Sequence, residues 1–130
     1  MTPQARALVL ACAALAAGDA GRLEAALKSA LAVADPLAVE EALLQSYLFL
    51  GYPAALRALG VWRRVSGRAA PPPRDDAAEW RSRGESTCAR VYGGQYERLR
   101  SNIAALHPDM EQWMITEGYG KVIGRPGLDL

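Results

Sequence analysis

Along most of the chain, apolar residues return every three or four positions and rarely every second one, so the pattern predicts helices and no sheet. A first helix is expected from Pro3 to Ala17, capped by Thr2, with Pro3 in its first turn and a stop at Gly18. The chain turns over Asp19 to Gly21. A second helix then carries Leu23, Leu27, Ala30, Leu31 and Ala34 on one stripe. Asp35 is a suitable N-cap and Pro36 suits the first turn of a third helix. Leu37, Leu44 and Leu48 share a face of that helix, which ends near Gly51. Pro53 opens a fourth helix, over Ala54 to Val65.

Residues Gly67 to Arg74 interrupt this pattern. Three consecutive prolines, Pro71, Pro72 and Pro73, cannot continue a helix and favour an extended, semi-rigid spacer. The expected organisation is therefore a block of core helices over residues 1–66, a linker over 67–74, and a second helical block with a C-terminal arm over 75–130. The second block is more polar and holds two of the three tryptophans. Helices are expected at Asp76 to Val91, at Gln95 to Leu106, and from Pro108 to a fading end before Gly118. Gly118 to Leu130 contains four glycines and Pro126, so it should form an irregular, extended arm.

Composition narrows the function classes. The 130 residues are 51% hydrophobic and 22% charged, which fits a folded domain. Fifteen basic residues balance fourteen acidic ones for a net charge of +1, so neither nucleic acid nor an anionic membrane is an expected partner. Arg63, Arg64, Arg68 and Arg74 gather locally, but Asp75, Asp76 and Glu79 follow at once and read as a solvated connector. The apolar run from Ala7 to Ala17 is too short to span a bilayer and leads into the next helix without a cleavage-like break; a cytoplasmic protein is expected. Helices two to four are apolar around much of their circumference, which predicts a homo-oligomer, a dimer or a trimer-based ring.

Three residues carry candidate chemistry. Glu41 shares its helical stripe with Leu37, Leu44 and Leu48 and should face apolar surroundings. A carboxyl group withdrawn from water is suited to moving a proton near neutral pH; the same position also suits a purely structural carboxylate that pairs with an arginine or caps a buried helix end. Cys88 lies beside Arg90, and a neighbouring cation lowers a thiol pKa, though no resolving cysteine or general base is near it in sequence. His107, the single histidine, precedes Pro108 and Asp109, a helix-opening position that suits capping as well as acid–base work. Cys12, among alanines and leucines, reads as a small apolar residue. The cysteines form no CxxC, and no metal-ligand cluster or Gly-rich phosphate loop is present, so neither a metal nor a cofactor is expected. Tyr92, Tyr96, Trp113 and Tyr119 could line a small-molecule pocket or an interface.

The stretch Glu41, Gln45, Tyr47, Phe49, Gly51-Tyr52-Pro53-Ala54-Ala55 and Ala58 resembles the central signature of the carboxymuconolactone decarboxylase and AhpD-like family. The segment Tyr119-Gly-Lys-Val-Ile-Gly-Arg125-Pro-Gly-Leu-Asp129 is similar to the stretch that precedes that family's first core helix. The resemblance implies an all-α, AhpD-like helical bundle. It also implies one of two chemistries: proton-transfer decarboxylation with a histidine on the second helix, or peroxidase chemistry on a Cys-x-x-Cys pair assisted by Glu and His. The matching second-helix position here is Ala26, and no cysteine lies between Leu37 and Pro53. The expected function is thus a family module without its own catalytic His or Cys pair that acts in assembly or pocket shaping. The alternative is a lactone- or carboxylate-processing enzyme that uses Glu41 for proton transfer. The halves stand in reverse of the family order, as expected of a permuted module or of one repeat from a longer tandem protein. In either case the arm should dock along a first helix near Thr2 to Leu8, its own or, by arm exchange, a neighbour's.

Overall fold

The computed structural model describes residues 1–128, and every regular element among them is helical. The chain divides within the proline run into two compact units, residues 1–72 and 73–130. No helix among the described residues is long and apolar enough to cross a membrane.

The first unit consists of α1 (Pro3–Ala16), α2 (Ala20–Ala30), α3 (Pro36–Leu50) and α4 (Tyr52–Ser66). Side chains close the N-termini of α1, α2 and α3: Thr2 accepts from the Ala5 amide, Asp19 from Arg22 and Asp35 from Leu37. Each cap satisfies an amide that has no partner within its helix. Between α3 and α4 there is no loop. Gly51 alone separates them at φ 83°, a conformation that only glycine adopts cheaply, and Pro53 sits in the first turn of α4. The Gly-Tyr-Pro element is therefore a helix-to-helix corner.

The core of this unit is apolar and tight. Leu27, Leu43, Val39, Ala30, Ala58 and Trp62 are essentially inaccessible, with Ala7, Ala11, Ala14, Leu15 and Leu23 packed around them. The buried residues of α3 are Ala38, Val39, Glu41, Leu43 and Ser46; Glu41 is buried as expected, but its expected stripe-mates Leu37, Leu44 and Leu48 are not among them. Leu44 is exposed. The helix is apolar on nearly every side, so periodicity did not distinguish which face meets α1 and α4.

The second unit begins with a 3₁₀ turn (Ala77–Glu79) that leads into α5 (Trp80–Tyr92). A second 3₁₀ turn (Gly93–Gln95) leads into α6 (Tyr96–Leu106), and α7 (Pro108–Trp113) runs on as a π-helix (Met114–Ile123). This last element corrects the expected arm. Residues 118–123 are helical and packed on α5, residues 124–128 form turns, and residues 129 and 130 lie outside the described residues. The cause is close backbone approach. A Cβ built on Gly84 would lie 1.9 Å from the Ile115 carbonyl oxygen, and one on Gly120 equally close to that of Trp80. Glycines that look like helix breakers in the sequence are here the positions at which two helices touch. Gly124 lies against Thr87 and Arg83 of α5.

Candidate functional site

Glu41 is buried, at 3% exposure, in the middle of α3. Its neighbour Glu40 holds several partners. Glu40 Oε1 accepts hydrogen bonds from Arg63 Nη1 at 2.8 Å and from Trp62 Nε1 at 3.1 Å, and Arg68 Nε stands 3.8 Å away. Arg63 holds the Glu40 carboxyl below the usual glutamate range; burial opposes this, and Trp62 and Arg68 assist. Arg63 also donates to the Ala69 carbonyl at 3.0 Å, so Glu40 anchors both α4 and the start of the linker within this unit. Nothing in the spacing of residues 40, 62 and 63 signals this cluster, because it depends on how α3 lies against α4.

Cys88 is fully buried on α5. Burial raises its thiol pKa; Glu111 adds to the rise and Arg100 opposes it. The expected activation by Arg90 is therefore corrected: the cation that acts on the thiol is Arg100 of α6, and desolvation outweighs it. Cys88 stays a protonated, inaccessible thiol. Cys12 is also a free thiol, raised by burial. His107 caps α7, with Nδ1 accepting from the Asp109 amide at 3.1 Å and its ring exposed. That bond uses the lone pair of Nδ1 for the cap.

The second unit brings other polar groups together. Arg100 Nε donates to Glu111 Oε1 at 2.5 Å, and Glu111 Oε2 accepts from Gln112 at 3.0 Å, which satisfies a nearly buried carboxylate. The hydroxyls of Tyr92 and Tyr119 are 3.0 Å apart, with their rings edge to face. Burial, followed by the Tyr92 hydroxyl, pushes the Tyr119 phenol well above its ordinary range, so it remains protonated at physiological pH. Asp75 gathers Arg83 at 2.9 Å, Trp80 Nε1 at 2.7 Å and Arg125 at 3.7 Å. Arg83 also donates to the Gly120 carbonyl at 2.6 Å and so ties the π-helix to α5.

Glu41 belongs to the first unit, which contains no histidine; Cys88 and His107 belong to the second, one buried and one capping α7. Among the described residues no group of three or more His, Cys, Asp or Glu side chains could hold a metal ion. The first unit carries an open groove of about 460 Å³ between α1, the α1–α2 turn, α2 and α4. Leu15, Leu23 and Val61 supply its apolar wall, while Arg57 and Arg64 stand at its margin. Its lining residues come from distant positions in the chain and form no motif. No protein-family model, curated protein or solved structure matches this chain significantly.

Proposed function

We propose that the chain is a carboxymuconolactone decarboxylase-like module without its own catalytic His or Cys pair, and that it works by assembling with further copies of itself and shaping a pocket there. The observation that carries this reading is the α3–α4 corner. Phe49 and Leu50 close α3, Tyr52 opens α4, and Leu56 follows one turn later; their exposures are 70%, 39%, 61% and 65%. The Tyr47 ring packs on that of Tyr52, with centroids 4.9 Å apart and planes tilted by 40°. Four large apolar side chains in one short stretch form the kind of surface that self-association covers. The residues that carry the family resemblance, Gly51-Tyr52-Pro53, are those that build this corner. A reducing, cytoplasmic setting accords with two free thiols.

Sedimentation velocity at micromolar concentration tests the proposal. The wild-type chain should sediment as an oligomer, and Phe49→Glu with Leu56→Glu should sediment as a monomer of unchanged helix content. A monomeric wild type would overturn it.

One observation favours the enzymatic alternative: a carboxylate 3% exposed in a helix centre is the arrangement that proton-transfer enzymes use. In that case the chain should release CO₂ from a carboxylated lactone, and Glu41→Gln should abolish turnover without dissociating the oligomer.

A further inference from the structure

We propose that the groove of the first unit binds a small organic carboxylate with an apolar body. The inference stands apart from the family reading, since none of the groove's lining residues belongs to α3, the helix of Glu41. At about 460 Å³ the groove has the size of a small-molecule site. It stays open because the residues around it are small: Gly18 turns the chain at φ 71°, and a Cβ on Gly60 would find no atom within 4 Å. Leu15, Leu23 and Val61 then offer a wall that an aliphatic or aromatic body covers.

The charge at the rim selects the ligand's head group. Asp19, the only acid in the lining, is neutralised by Arg22 at 3.3 Å and also caps α2. Arg64 bonds Glu24 at 2.6 Å, but Lys28 bonds the same carboxylate at 2.7 Å, so two cations share one anion. Arg57 is exposed at the groove and engages no carboxylate among the described residues. The rim therefore carries surplus positive charge beside an apolar wall, and a guanidinium pairs with a carboxylate through two parallel hydrogen bonds. A neutral or cationic ligand of the same body would leave that surplus unanswered.

Titration calorimetry on the full chain with octanoate, 1-octanol and octylammonium tests the assignment. Octanoate should bind at least about tenfold more tightly than octanol, and octylammonium more weakly than either. Arg57→Gln should bring octanoate to the octanol level and leave octanol unchanged. Gly60→Leu should remove binding of both while helix content is kept, since leucine is the better helix former and its side chain occupies only open groove. Octanol equal to octanoate, or octanoate binding insensitive to both substitutions, would overturn the proposal. So would a change of oligomeric state in Gly60→Leu without octanoate binding by the wild type, which would make the groove a contact between copies.

Discussion

The two units of this chain are both helical, yet different forces hold them. In the first, a cluster of leucines, alanines and Trp62 is removed from water, and the polar contacts sit at its edge, where Glu40 receives Trp62 and Arg63. In the second, the fully buried apolar side chains are few, chiefly Ile115, Val122 and Cys88. There the helices meet through backbone contact at Gly84 and Gly120, the Arg100–Glu111 pair joins α6 to α7, and Arg83 ties the segment at Asp75 to α5. Burial of hydrocarbon is non-directional and tolerates many arrangements, whereas glycine contacts and ion pairs demand particular geometry. The first unit should therefore respond to lost volume, and the second to added volume or lost charge.

Trp62→Ala should give the largest effect, a loss of about 3–5 kcal/mol, because it empties the most voluminous fully buried site. Hydrogen exchange in the full chain should show protection lost across residues 1–72; a loss confined to residues 73–128 would reverse the comparison. Gly84→Ala should follow, at about 1–3 kcal/mol, since the new methyl meets the Ile115 carbonyl rather than a pliable side chain. Its signature is faster exchange in α5 and the π-helix; unaltered exchange there would mean that the backbones do not touch. Smaller still, Glu111→Gln should cost about 1–2 kcal/mol in urea unfolding by leaving Arg100 without its carboxylate, and an equal loss for Glu24→Gln on the exposed α2 surface would erase the distinction between buried and surface pairs.

Acid should give the subtlest difference. Burial raises the Asp75 pKa, but Arg83, Trp80 and Arg125 together outweigh it and hold it below the ordinary aspartate value. A depressed folded-state pKa contributes stability that is present above the unfolded value of about 3.9 and lost as pH falls through the folded one. Glu40 follows the same sign in the first unit. Because the first unit keeps its apolar cluster when Glu40 protonates, residues 73–128 should lose exchange protection at a higher pH than residues 1–72. Asp75→Asn should lower stability at neutral pH and flatten the acid response of the second unit. The opposite order of loss would show that Glu40, not the apolar cluster, sustains the first unit.

Much of the local structure follows from local chemistry in the chain. Thr2, Asp19 and Asp35 start helices because their side chains take up free amides, and Gly18, Gly51 and Gly67 stop them because the backbone there leaves the helical region. These effects act within a few residues and can be read without knowing the fold, which is why the helices up to α6 lie close to their expected positions. The choice of α3's buried face was different: with apolar side chains nearly all round, only packing against α1 and α4 decided that Val39 and Leu43 turn inward and Leu44 outward. The same holds for the stretch after Gly118. Its glycines would loosen an isolated helix, but contact with Gly84 of α5 converts that missing side chain into close approach, and Arg83 secures the Gly120 carbonyl. Pairings such as Glu40 with Arg63, or Arg100 with Cys88, join residues on separate helices. Their electrostatics depend on distances that periodicity does not encode, so only the packed structure could make Glu40 an anchor and Cys88 an inert thiol.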